Sequence, residues 1–366
     1  MPVLKKIVIS DFRNIVLQEL EFSPNINCIS GGNGEGKTNL LDAIWYLSMT
    51  KSAFTPSDRF NFRYGTSSFS IGGTYEMPGG TSSRFSISVS EGEKKVKRDD
   101  KQYPKISSHI GVLPIVMVSP ADISLVSESG DERRRFVNSV LSQMDREYLA
   151  AVQQYNRFLL QRNKLLKDGC SDEGLMETYE FQLARYAEPI FRKREAFCAE
   201  MLPTVAEYYR QISGGREEVG IEYRSDLKDG DLAEMLKERR ERDRILRFTA
   251  AGVQRDDFIF TMNCHPIRRC GSQGQQKSFL VAVKFAQYEI MKKACGCEPI
   301  MLLDDLFDKL DMSRVSNLLT MVADRGFGQI FLTDSNKTRI TGIVDAITSD
   351  RAYFETAGGV FTKIDE

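Results

Sequence analysis

The sequence predicts an α/β fold assembled from both ends of the chain, a mixed sheet with an antiparallel β lobe, interrupted by an inserted α-helical arm. Three observations carry this. A glycine-rich run, Gly31-Gly32-Asn33-Gly34-Glu35-Gly36-Lys37-Thr38, lies between a strand-like and a helix-like segment. Far downstream, Pro299-Ile300-Met301-Leu302-Leu303 runs apolar into Asp304-Asp305, as a buried strand ending in two acids would. Between them, apolar residues recur at helical spacing through residues 133–212. The head is therefore expected to comprise residues 1–132 and 248–366, and the arm residues 133–247.

The elements follow in order. Leu4 to Ile9 and Asn25 to Ser30 read as strands, separated by the turn residues Ser23-Pro24-Asn25. Residues 37–49 read as a helix through Leu40, Leu41, Ile44, Trp45 and Leu47. Residues 66–104 alternate like a meander of short strands, with Gly, Ser and Pro between them, and Leu113 to Val118 is a buried strand. Phe136, Val140, Met144, Tyr148, Val152, Tyr155 and Leu159 predict one long helix to Lys167. After the turn at residues 168–174, Leu175, Tyr179, Leu183, Tyr186 and Ile190 start a second, giving an antiparallel hairpin. A strand at 219–223, a charged helix at 231–247 and a strand at 258–262 lead back to the head.

Composition narrows the functional classes. The 366 residues carry 50 Lys+Arg against 51 Asp+Glu, which excludes binding of nucleic acid through global positive charge, so any such contact needs a local patch. The first apolar run is too short for a secretory signal, and no stretch approaches the ~18 apolar residues of a membrane span, so a cytoplasmic protein without a membrane partner is expected. Seven cysteines without a secretory signal read as reduced thiols. Cys264, His265, Cys270, Cys295 and Cys297 lack the paired knuckles of a zinc site.

The glycine-rich run matches G-x-x-x-x-G-K-[ST], a pattern that arises by chance in about 1% of chains of this length. Its glycines let backbone N–H groups curl round phosphate oxygens and the helix N-terminus adds its dipole. Lys37 would reach the β- and γ-phosphates of ATP, and the Thr38 hydroxyl would ligate Mg2+. Asp304 would hold Mg2+ through water, and Asp305 would orient or deprotonate the attacking water. Most of the chain separates Lys37 from Asp304, which leaves room for the arm as an insertion. Ser272-Gln273-Gly274-Gln275-Gln276, ahead of another helical pattern, offers a hydroxyl and free amides suited to a γ-phosphate, although alone it is an ordinary helix cap.

In this order the three motifs resemble those of the ABC ATPase superfamily, and the chain as a whole resembles the RecF family, related to SMC heads. The resemblance runs through Asp11-Phe12-Arg13-Asn14, Gly34-Glu35-Gly36-Lys37-Thr38-Asn39-Leu40-Leu41-Asp42, Ser119-Pro120-Ala121-Asp122 and Arg133-Arg134-Arg135-Phe136. It continues through Gly252-Val253-Gln254-Arg255-Asp256-Asp257, Ser272 to Gln276, Asp304-Asp305 and Leu310-Asp311. Gly252-Val253-Gln254 replaces the family's Gly-Pro-His. Thr333-Asp334 stands where transporter ATPases carry a switch histidine.

The resemblance implies a slow ATPase used as a clamp. ATP and Mg2+ would be held by Gly31 to Asn39 with Arg13 and Asn14, by Asp304, and by Ser272, Gly274 and Gln275 of a second copy. It implies a homodimer that binds single- and double-stranded DNA at gap junctions, works with RecO and RecR, and leads to RecA loading. The basic stretches Lys94-Lys95-x-Lys97-Arg98, Arg133-Arg134-Arg135, Arg192-Lys193-Arg194 and Lys237 to Arg247 are the candidate DNA contacts. The rival reading, an ABC-type ATPase subunit of a transporter, would bring a membrane permease as partner. It is opposed by Asp305 in place of the usual glutamate, by the missing switch histidine and by the helical hairpin.

Overall fold

Alternating apolar and polar residues in the first hundred positions become a six-stranded antiparallel sheet. Its order is Ile15–Glu21, Val3–Phe12, Ser68–Glu76, Ser82–Ser90, Glu93–Arg98 and Lys101–Gln102. The continuous apolar runs instead form a second sheet covered on both faces. There Ile115–Val118, Ile300–Leu303, Ile330–Asp334, Ile26–Ser30 and Arg351–Ala357 lie parallel in that order, and Val360–Ile364 closes the edge antiparallel. This computed structural model describes residues 1–170, 172–305, 326–345 and 348–364. The motif Leu310-Asp311 lies outside the described residues.

The helix Lys37–Met49 touches strands of both sheets, which explains why it is apolar on nearly every side. Leu40, Leu41, Ile44 and Leu47 are fully buried in one core with Ile9, Phe12, Ile71, Phe85, Leu302 and Phe331. The mixed α/β head anticipated from the sequence is present, and the two ends of the chain build it: one compact unit joins Met1–Ile123 to Lys284–Glu366.

The other compact unit is Ser124–Val283, wider on both sides than residues 133–247. It includes a three-stranded antiparallel sheet, Val219–Arg224, Asp257–Met262 and His265–Pro266, which contacts the helices of its own unit. The single long helix expected over 133–167 is two, Gly130–Met144 and Arg146–Asp168. The apolar stripe passes through the break, but the Asp145 side chain accepts the N–H groups of Glu147 and Tyr148 and starts a new helix there. Glu173–Ser213 then runs 41 residues through Pro189 and Pro203, and Phe158 stacks on Tyr186 across the pair. The charged segment 231–247 is likewise two short helices, Leu232–Glu238 and Arg240–Leu246.

Candidate nucleotide site

The glycine-rich loop leaves the strand Ile26–Ser30 and enters the helix at Lys37 through backbone that ordinary residues avoid: φ is 84° at Gly34 and 110° at Gly36. Close approach demands glycine as well. A Cβ at Gly31 would lie 2.6 Å from the Thr356 carbonyl oxygen, and one at Gly36 would lie 2.8 Å from Asn14 Nδ2. Asn33 and Gly32 are exposed at the mouth of the loop. No side chain caps the helix start, so its first N–H groups face the loop as anion donors. Lys37, 4% exposed, donates from Nζ to the carbonyls of Gly31 and Gly32 at 2.8 and 3.0 Å. The ammonium thus stands at the loop's centre, satisfied by weak neutral acceptors that phosphate oxygens would outbid.

Two neighbouring strands of the parallel sheet meet the same helix, one running into Asp304 and Asp305 and the other carrying Thr333. Thr38 Oγ1 lies 3.0 and 2.9 Å from the two oxygens of Asp304, and Thr333 Oγ1 donates to Asp304 Oδ1 at 2.7 Å. Burial pushes the Asp304 carboxyl above the ordinary carboxylate range; hydrogen bonds from Thr333 and Thr38 pull it back, and the charge of Asp305 adds to the rise. Two adjacent oxygens from a hydroxyl and a buried carboxylate are the hard donor set that Mg2+ takes, and a cation would relieve that buried charge. Asp305 sits in the left-handed region at φ 43°, its N–H donating to Thr333 Oγ1 at 3.0 Å. Thr333 therefore bridges the side chain of one acid and the backbone of the next. In the sequence Thr333 marks only the place of an absent histidine; adjacency of its strand to Ile300–Leu303 is the signal that exposes its role.

Arg13, Asn14 and Asn39 form the loop's support. Arg13 donates to Asn39 Oδ1 at 2.8 Å, Asp42 Oδ2 at 2.5 Å, Ser52 Oγ at 2.9 Å and Asn61 Oδ1 at 3.2 Å. Burial raises the Asp42 carboxyl, opposed by the charge of Arg13. Asn39 donates to Asn14 Oδ1 at 2.8 Å, and Asn14 donates to the Glu35 carbonyl at 3.3 Å. The Glu35 carbonyl also accepts from Gly359 N–H at 2.9 Å and Thr356 Oγ1 at 3.1 Å, while its carboxylate accepts from Gly358 N–H. The turn of the C-terminal hairpin is thus laced to the phosphate loop. Gly359, at φ 82°, has its Cβ position 2.4 Å from the Asn14 carbonyl oxygen. In the sequence Asp42 stands only within the stretch that carries the resemblance, without a role, and nothing there marks Ser52, Asn61 or this hairpin.

In the second unit, Ser272 and Gln275 start the helix Gln273–Cys295 as a reciprocal cap: Ser272 N–H donates to Gln275 Oε1 at 2.7 Å and Gln275 N–H to Ser272 Oγ at 3.3 Å. Gln275 also donates to Glu217 at 2.8 Å, and the Gly274 carbonyl accepts from Ser278. Asp256 and Asp257, from the motif after Gly252, each take an arginine: Arg194 at 2.5 Å and Arg133 at 2.8 Å.

The basic stretches are largely spent in the same way. Lys94 pairs with Asp58, Lys95 with Glu93, Arg135 with Glu132, Arg192 with Glu188, Lys193 with Asp145, Arg240 with Glu180 and Arg244 with Glu241. Arg133 and Arg194 are buried. As whole stretches these runs are not a free basic surface, because folding brings an acid to most of their members.

A phosphate loop on a helix wedged between a parallel sheet and an antiparallel lobe, with two acids at the end of the next strand but one, defines an ABC-type ATPase head. The AAA domain family model matches residues 6–244. The DNA replication and repair protein RecF of Parabacteroides distasonis is 44% identical over 364 residues, covering 100% of both chains. A solved structure of the recombination mediator protein RecF with ATP in the RecFOR pathway superposes with a TM-score of 0.90 at 27% identity, covering 100% of this chain and 98% of that one. The Smc head domain from Pyrococcus furiosus, bound to the C-terminal domain of ScpA, shares the fold at a TM-score of 0.58 and 14% identity, covering 100% and 96%. The chain belongs to the RecF family. Among the described residues no helix is long and apolar enough to cross a membrane.

Proposed function

We propose that this chain is a cytoplasmic ATP-dependent DNA-binding protein that dimerises on ATP, recognises gapped or junction DNA, and helps RecO and RecR load RecA in recombinational repair, replication restart and SOS induction. The observation that carries it is the cluster of Lys37, Thr38, Asp304 and Thr333 at one end of the parallel sheet. The names of its relatives and the ATP in the similar solved structure support the same reading.

Bound Mg2+ would neutralise charge on the β- and γ-phosphates, and Thr38 with Asp304 are the residues that would hold it. Lys37 turns from the loop carbonyls to the phosphates, while Asp305 holds the attacking water and accepts its proton. Ser272, Gly274 and Gln275 meet the γ-phosphate of the ATP held by a second copy, so nucleotide becomes part of the interface and its hydrolysis opens the dimer. The ATPase is weak because it times a clamp.

Sedimentation of the wild type, Lys37→Met and Asp305→Asn with and without ATP and gapped DNA tests this. The wild type dimerises with ATP, Lys37→Met does not, and Asp305→Asn stays dimeric for longer. A dimer indifferent to nucleotide would sink the clamp mechanism.

A further inference from the structure

Within the unit Ser124–Val283, an open cavity of about 430 Å³ lies beside the segment that follows the helix Arg240–Leu246. Arg247 ends that helix in the left-handed conformation at φ 59°, and Phe248 on the cavity wall is 40% exposed. An aromatic ring left this open at a cavity is a ready stacking surface. The floor is locked before any ligand arrives. Thr249, 3% exposed, donates both its N–H and its hydroxyl to Asn163 Oδ1 at 2.8 Å, and its hydroxyl also accepts from buried Arg162 at 2.8 Å.

These bonds fix which way the Asn163 amide points: its oxygen is committed to Thr249, so the Nδ2 donor remains for the cavity. The charge on the wall is positive. Arg134 is matched by Asp131, whereas Arg255 is exposed and has no ion-pair partner among the described residues. Arg255 stands on a short turn closed by its own N–H to the Gly252 carbonyl at 2.9 Å, next to Asp256 held by Arg194.

We propose that this cavity takes one unstacked nucleotide of single-stranded DNA. Phe248 stacks on the base, Asn163 Nδ2 donates to an acceptor on the base edge, and Arg255 pairs with an adjoining phosphate. In a duplex both faces of each base are covered by neighbours, so the ring selects unpaired strand. The proposal rests on the DNA-binding reading above and supplies it with the single-strand side of a gap.

Fluorescence anisotropy of the full chain in ATP and Mg2+, with labelled oligothymidylate and with a blunt duplex, tests it. Phe248→Ala weakens oligothymidylate binding about tenfold and leaves the duplex unchanged. Arg255→Ala weakens it as well and lowers the slope of log affinity against log salt by about 0.7. In a Trp45→Phe background, Phe248→Trp reports stacking directly through quenching of indole emission by oligothymidylate. Wild-type oligothymidylate affinity in Phe248→Ala, or an unquenched indole, overturns this proposal alone. A wild type that binds neither DNA overturns the DNA-binding reading and this proposal with it.

Discussion

Asp304 shows stability and function opposed in one side chain. The residue is 3% exposed and burial raises its carboxyl pKa above the ordinary 3.8. The folded state therefore binds this proton more readily than the unfolded chain does. The contribution of Asp304 to stability falls as pH rises from 3.8 through the raised value, and at neutral pH the ionised group is a net cost in the free protein. Asp304→Asn removes that cost while keeping an acceptor for Thr38 and Thr333. The variant is expected to melt above the wild type at pH 7 without nucleotide and to lose ~100-fold or more of its Mg2+-dependent hydrolysis, since metal stabilisation of developing charge amounts to several kcal/mol. Paired thermal melts and phosphate-release assays check both; a variant melting below the wild type contradicts the account of the buried charge.

Among elements, the arm depends on an ion network that no run of charges along the chain reveals. Arg162, 0% exposed on the helix Arg146–Asp168, pairs with Glu180 of Glu173–Ser213 at 2.9 Å and with Asp243 of Arg240–Leu246 at 2.7 Å. Three helices are cross-linked by one guanidinium. Burying such groups is itself costly, but deleting one partner strands the others. Arg162→Ala is predicted to destabilise the unit by about 3–5 kcal/mol, read as a shifted urea transition, with ATP affinity of the monomer retained because the phosphate loop belongs to the other unit. A loss under 1 kcal/mol would mean that the network is solvated in solution. At the N-terminal end of Arg146–Asp168, the break at Asp145 escapes the sequence pattern for a different reason: an apolar stripe records which face is buried and is blind to a cap that restarts the backbone hydrogen bonding within it.

For the whole molecule, acid sensitivity is expected from His109, 0% exposed between the rings of Phe85 and Tyr103. Nε2 lies 2.6 Å from the Leu47 carbonyl, and buried Nδ1 has no partner among the described residues. Burial lowers its pKa from the ordinary 6.5, with the charge of Arg98 adding to the effect, so the unfolded chain takes this proton first as pH falls. Stability present above pH 6.5 is then lost below it, at a slope approaching about 1.4 kcal/mol per pH unit until the lowered value is reached. Urea midpoints at pH 7.5, 6.5 and 5.5 should fall more steeply for the wild type than for His109→Gln; parallel curves would refute the assignment.

Short contiguous stretches declare their chemistry in the order of residues alone: the glycine-rich loop, the apolar run into Asp304-Asp305, the cap at Ser272 and the periodicities of strand and helix. Each depends on backbone geometry or hydrogen bonding over a few residues, so the order of residue types suffices. Tertiary structure alone decided who meets whom. Arg13 finds Asp42, Ser52 and Asn61; Thr333 joins two acids from the next strand; Glu35 is laced to Gly358 and Gly359; and each basic stretch has a member matched by an acid distant in sequence. A charge along the chain shows its sign but not its partner. The same reason hid the cavity under Phe248, whose wall comes from residues 131 to 255 and exists only once the helices have packed.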